Sequence, residues 1–327
     1  MGRYLARRLL NYVVLLFIAI SLTYLLAATA LNPRSLYLIV NPPLDPVSIE
    51  QSLRQRNLSD EVPLLERYWV WLRDIVTHWD WGDSPKGGPV SDEVGRRIGV
   101  SLRLITIGSL VGTVVGVALG AWTATRQYKA SDRLTTLGSL FILSVPSFVI
   151  ASVLQVLATK FNNATGVRAF EFVGESGSHG DYFTAGLMDR IQHLILPTLV
   201  LILINAAFFS RIQRNLMLDA LGSDFVRTAR AKGLPPQTVD RRHVLRNALL
   251  PVTTIIGLQT GLLLSGAILT ETVFAFPGMG SWLRDAIFNR DYPVLQGGIL
   301  FLAVVFVLVN LVVDVSYAFI NPRIRYS

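Results

Sequence analysis

The chain contains no cysteine, so disulfides, thiolate metal sites and thiol nucleophiles are all excluded. Charge is scarce too, at 16% of 327 residues against 51% hydrophobic, a balance that soluble domains rarely show. There is no Gly-Lys dipeptide, hence no phosphate-cradling P-loop, and no His-Glu-x-x-His or Gly-x-Ser-x-Gly. The four histidines, His78, His179, His193 and His243, are scattered along the chain and show no metal-ligand spacing. These absences leave little room for an enzyme. An all-α integral membrane protein is expected instead.

Apolar runs lie near 9–31, 101–124, 134–158, 191–210, 248–269 and 294–320. Each reaches the roughly 20 residues that cross about 30 Å of hydrocarbon at 1.5 Å per residue. Six transmembrane helices are therefore expected. The first run follows Arg3, Arg7 and Arg8 and exceeds the roughly 7 to 15 residues of a signal-peptide core, which favours a retained anchor over a cleaved leader despite the small residues at 28–30.

Charge orients the spans. With both termini cytoplasmic, the cytoplasmic segments hold sixteen Lys and Arg against four Asp, whereas the outer segments hold thirteen basic and seventeen acidic residues. This is the positive-inside pattern, and it accounts for the net charge of +8 without nucleic acid. The expected division is an anchor helix (9–31) with a folded extracytoplasmic segment over 1–95, then a five-helix core over 96–327 that includes a cytoplasmic loop at 211–247. Within the first part, Leu64, Leu65, Tyr68, Leu72 and Ile75 recur at helical spacing among Trp69, Trp71, Trp79 and Trp81. That pattern fits an amphipathic helix at the membrane surface or a docking face for a partner.

Gly108, Gly112, Gly116 and Gly120 stand four apart on one helical face, where small residues let another helix backbone approach closely. Pro146 and Pro197 each remove a backbone hydrogen bond and predict kinks. Asp314 lies in the last span, one turn after Asn310, near its cytoplasmic end, where water or a loop Arg would satisfy it.

Residues 223–233, Ser-Asp-Phe-Val-Arg-Thr-Ala-Arg-Ala-Lys-Gly, read as a short capped helix. Ser223 or Asp224 suits the N-cap, Lys232 the last turn, and Gly233 the left-handed position that ends it. Phe225, Val226 and Ala229 form an apolar patch, with Arg227 and Arg230 directed elsewhere. Leu234-Pro235-Pro236 then turns the chain into a second helix leading to the fifth span. By periodicity alone, a solvated basic loop reads equally well.

Arg-Thr-Ala-Arg-Ala-Lys-Gly-Leu at 227–234 followed by His-Val-Leu-Arg-Asn-Ala-Leu-Leu-Pro at 243–251 resembles the coupling loop of ATP-binding-cassette (ABC) importer permeases. Its form is similar to the dipeptide, oligopeptide and nickel permease family. The resemblance continues through Gln259, residues 266–274, Pro277-Gly278-Met279-Gly280, Arg290-Asp291-Tyr292-Pro293, Gln296-Gly297 and Asn321-Pro322-Arg323. Upstream, residues 7–10, Trp81-Gly82-Asp83-Ser84, Pro89-Val90 and Ser101-Leu102 match the first of the two permease subunits in such systems. Departures are Arg227-Thr228-Ala229 in place of Glu-Ala-Ala, and Pro43-Leu44-Asp45-Pro46 where the family has Pro-Gly-Asp-Pro.

The resemblance implies a type I ABC importer permease bundle in the bacterial cytoplasmic membrane that carries di- or oligopeptides. It implies coupling through Asp224, Phe225, Val226, Arg227, Ala229, Arg230 and Gly233, with Gln259 a candidate for the substrate path. It also implies a second permease subunit, two ATPase subunits or a fused pair that bind ATP and Mg, and an extracytoplasmic peptide-binding protein. No cofactor or metal is expected in this chain. A stand-alone secondary transporter or channel is the alternative, although such proteins usually carry internal repeats or several buried ionisable groups.

Overall fold

The computed structural model describes residues 2–37, 44–177 and 183–320. Pro43 of the 43–46 motif and the Asn321-Pro322-Arg323 motif lie outside the described residues, and so does His179. Among those described there is no strand, only one isolated bridge between Asp83 and Pro89.

The helices run α1 (Gly2–Ala30), α2 (Arg34–Tyr37), α3 (Pro46–Gln55), α4 (Leu64–His78), α5 (Val90–Ala124), α6 (Ala130–Ser144) and α7 (Ser147–Thr165). There follow α8 (Phe183–Leu221), α9 (Asp224–Ala231), α10 (Pro236–Thr238), a π-helical turn (Val239–Val244), α11 (Leu245–Val273), α12 (Met279–Phe288) and α13 (Tyr292–Ile320). Among the described residues, four stretches are long and apolar enough to cross a membrane: Arg7–Ala30, Val90–Ala124, Gly186–Leu221 and Tyr292–Val315. The bent pair α6 and α7 makes a fifth if counted as one span. The apolar run at 248–269 falls on α11; side chains of residue 258 and of 260–266 lie outside the described residues.

The two prolines behave differently. Pro146 separates α6 from α7 at an angle of 105°. Val145, just before it, is extended at φ −97°, ψ 128°, as expected where the following ring blocks the helical region. The single run at 134–158 is thus two helices. Pro197, in contrast, sits inside α8, which continues through it.

The chain packs as two compact units, Met1–Ser101 with Pro277–Val307, and Leu102–Phe276 with the rest of α13 from Leu308. The division expected at 95/96 falls inside α5, whose helical pattern starts eleven positions before the apolar run at 101. In the first unit, Tyr24 of α1, Ile49 and Leu53 of α3, Tyr68 and Trp71 of α4 and Tyr292 of α13 share one core. Asp45 caps α3 by accepting from Ser48 N–H at 3.3 Å, with Pro46 in the first turn. Ser59, Arg54 and Arg34 converge on Glu50, and the Ser59 hydrogen bond leads in holding its carboxyl below the usual range.

Candidate functional site

The loop helix α9 begins at Ser223, whose backbone is extended at φ −78°, ψ 155°. Its hydroxyl does not cap the helix; it donates to Ala220 C=O at 2.5 Å instead. Asp224 occupies the first turn, where an acid suits the helix dipole. At the other end Gly233 takes φ +77° and its N–H meets Arg230 C=O at 2.9 Å, the left-handed ending expected.

The apolar patch is divided by the fold. Val226 is fully buried and Ala229 nearly so, packed with Ala124, Met217, Val239, Val244 and Ala248. Residues 226 and 229, one helical turn apart, face the chain's own core. Phe225, about 100° round the helix, is 40% exposed. Asp224, Arg227 and Arg230 are exposed beside it. The outward face is therefore Phe225 framed by charge, and the apolar patch read from the sequence is split between that face and the interior.

Beyond Gly233, Pro235 is extended at φ −57°, ψ 142° before Pro236, again the pre-proline restriction. From Pro236 the backbone stays right-handed helical through the π turn into α11. The π turn places Val244 over Val239 at i, i+5, so both point into the core at 0% exposure. An α-turn would have put them on different sides. The loop helix thus connects by four residues, Lys232–Pro235, to one continuous helix ending at Val273.

The glycine row of α5 meets α8. A methyl placed on Gly108 would lie 2.7 Å from Leu201 Cβ, and one on Gly112 2.6 Å from Asn205 Cβ and 3.0 Å from Ile202 C=O. On Gly116 it would lie 2.8 Å from Ala206 C=O, and on Gly120 2.8 Å from Gln213 Cβ. No side chain fits there. Next to this seam Arg214 of α8 grips Asp132 of α6 with two hydrogen bonds of 2.5 and 2.9 Å, and Ser139 bonds Ser210 at 2.9 Å. The sequence held one hint of the ion pair, a lone acid in the basic loop 125–133.

Gln259 lies on α11 and is buried. A methyl on Gly257 would lie 2.9 Å from Asn310 Oδ1, so α11 and α13 touch one turn before the buried Asp314. His193 is nearer to acids than its isolation in sequence implied. Its Nδ1 lies 2.8 Å from Asp189 C=O and its Nε2 3.8 Å from Glu171. Those three side chains each offer a ligand atom within 4.8 Å of the others. The i, i+4 spacing of Asp189 and His193 was the available signal.

Two distant motifs come together in the first unit. Ser84 donates to Asp291 at 2.5 Å, and Val294 N–H donates to the other carboxylate oxygen at 3.2 Å. Burial pushes the Asp291 carboxyl above the usual range, with those bonds and Lys86 opposing. Gly297 admits the Trp81 ring, since a methyl there would lie 3.1 Å from it.

Comparison with known proteins gives a consistent result. Residues 116–326 match the family described as binding-protein-dependent transport system inner membrane component. The chain is 45% identical over 329 residues to the oligopeptide transport system permease protein OppB of Mycobacterium tuberculosis, covering all of both chains. It is 39% identical over 279 residues to the dipeptide transport system permease protein DppB of Escherichia coli K12, covering 81% of this chain and 82% of the relative. A chain of the MetNI methionine ABC transporter, in inward-facing conformations, has a similar fold, with a TM-score of 0.51 at 14% identity, covering 70% of this chain and 96% of that one.

Proposed function

The chain belongs to the family of binding-protein-dependent transport system inner membrane components, and from that premise we propose that it is a permease subunit of a peptide-importing ABC transporter. The alignment of the entire chain with an oligopeptide permease carries the peptide assignment. It is a non-catalytic subunit, and the lack of a Gly-Lys dipeptide supports the reading that ATP and Mg bind on separate ATPase chains.

The proposed assembly contains this chain, a second homologous permease subunit, two ATPase subunits or a fused pair, and an extracytoplasmic peptide-binding protein. The chain crosses the bacterial cytoplasmic membrane six times with both termini cytoplasmic, a reading supported by the charge alternation and by the helices found at each apolar run. Coupling runs through α9. ATPase motion reaches the spans only through a stiff element, and the Lys232–Pro235 turn ties α9 directly to the helix that becomes α11. Phe225, Asp224, Arg227 and Arg230 form its outward face, while Val226 and Ala229 fasten it to the permease. Gln259 is assigned to the substrate path.

Reconstitution tests this directly. Proteoliposomes holding the full complex should take up peptide only when ATP is supplied to the ATPases. Uptake by this chain alone, driven by an ion gradient, would establish a secondary transporter instead.

A further inference from the structure

Helix α4 has three longitudinal faces. Arg67, Tyr68 and Trp71 are buried against the protein. Leu65, Trp69 and Val76, at i, i+4 and i+11, form an apolar stripe exposed at 66%, 62% and 74%. Glu66, Arg73 and Thr77 form an exposed polar stripe about 80° further round. An exposed stripe of this composition on a water-facing helix would be costly.

The contacts of α4 fix its depth relative to α1. Tyr68 and Ser21 share a hydroxyl hydrogen bond at 2.7 Å, and the rings of Tyr68 and Trp71 lie 5.5 and 4.7 Å from that of Tyr24. Ser21 and Tyr24 sit about 9 to 14 Å from the C-terminal end of α1 at 1.5 Å per residue. The apolar stretch Arg7–Ala30 extends only about 3 Å beyond a 30 Å hydrocarbon layer at each end. The Tyr68 and Trp71 contacts of α4 therefore lie at a level about 6 to 11 Å inside the boundary of one leaflet. Amphipathic helices that rest on bilayers bury their apolar face by about 5 to 10 Å. Trp79, 68% exposed just past the helix end, adds a second indole of the kind found at that level.

We propose that α4 is an interfacial membrane helix, its Leu65, Trp69 and Val76 stripe resting among phospholipid acyl chains beside α1 and its Glu66, Arg73 and Thr77 stripe facing water. This rests on the reading of α1 as a span. The acyl chains are continuous with those surrounding Leu22 and Leu26, which are exposed on the same half of α1. The helix would fix the depth of the first unit in the bilayer.

Because the chain has no native cysteine, single labels test the proposal cleanly. Leu65→Cys, Trp69→Cys, Val76→Cys, Glu66→Cys, Arg73→Cys and Thr77→Cys would each carry a nitroxide in the full complex, with cysteine-free partners, in phospholipid nanodiscs. Collision rates with oxygen, which concentrates in the bilayer, and with an aqueous nickel chelate would be compared. Oxygen should dominate at 65, 69 and 76, and nickel at 66, 73 and 77. Nickel dominance at all six would overturn the proposal, as would shielding of 65, 69 and 76 from both reagents, the sign of a covering protein. Leu10→Cys and Leu22→Cys on α1 separate the two premises, since nickel dominance there would refute the span itself.

Discussion

Ser84 and Asp291 stand 207 positions apart and share a hydrogen bond of 2.5 Å in the interior of the first unit. The bond joins the Trp81-Gly82-Asp83-Ser84 turn to the residue that precedes α13. Asp291 is the more constrained partner, because its carboxylate has left water and is only partly compensated.

That arrangement predicts an unusual pH response. An acid with a raised folded pKa is held without penalty when protonated, and stability is lost as pH climbs from the ordinary aspartate range, near 3.9, through the raised value. Asp291→Asn keeps the shape without the charge. It should raise stability at pH 7 by on the order of 1 kcal/mol and flatten the melting-temperature profile above pH 4. A lower melting temperature at pH 7 would mean that the charge itself is needed.

Glu50 should respond in the opposite sense. Its carboxyl is lowered by Ser59 and two arginines, so its contribution is present above the ordinary glutamate value and is lost as pH falls through the lowered one. Ser59→Ala should move the acid limb of the melting profile to higher pH. An unmoved acid limb would remove Glu50 from the account.

The glycine seam makes a steric prediction. Gly112→Leu pushes against Asn205 and the Ile202 carbonyl and should cost about 1 to 3 kcal/mol, seen as a reduced yield of assembled complex. Gly138→Leu, where no atom lies within 4 Å of the added carbon, is the control and should assemble normally. Equal yields would place the Gly112 face away from α8.

Three substitutions separate the parts of the loop helix. Phe225→Glu changes an exposed side chain and should weaken ATPase binding without altering the melting temperature. Ala229→Asp buries a carboxylate beside Val226, Val239 and Val244 and should destabilise the permease itself by several kcal/mol. Gly233→Val forces a β-branched residue to φ +77°, costing roughly 1 to 3 kcal/mol. It should retain partial ATPase binding while peptide uptake falls. Normal ATPase binding and uptake in Phe225→Glu and Gly233→Val together would reduce α9 to a connector.

Orientation is read by impermeant thiol labelling of intact cells. Val167→Cys, 60% exposed after α7, should react from outside, and Lys232→Cys should not. The reverse pattern would invert the topology.

How far the sequence foretold this structure depended on the range of the interaction. Apolar run lengths placed the long helices because bilayer thickness sets their size. Gly233 marked the end of α9 because its left-handed conformation is a local matter. The four glycines indicated a close contact, yet only the fold named α8 as the partner. Periodicity found the apolar side of α9 but could not tell an internal cover from an external one, so Val226 and Ala229 were grouped with Phe225. Pro146 predicted a kink because the ring restricts the residue before it, and the size of the bend, 105°, was legible only in the structure. The Ser84 to Asp291 bond left no local trace at all.

The π turn at Val239–Val244 also bears on chain length. Such a turn holds one residue more than an α-helix needs to follow the same path, so it can absorb an insertion without altering the phase of what comes after. Removing a single codon within 240–243 would let the segment relax to plain α-helix and leave the two valines at i, i+4, about 40° apart and both still on the core face. Relatives that are one residue shorter here should therefore keep both α11 and the anchoring of α9 in the same rotational setting.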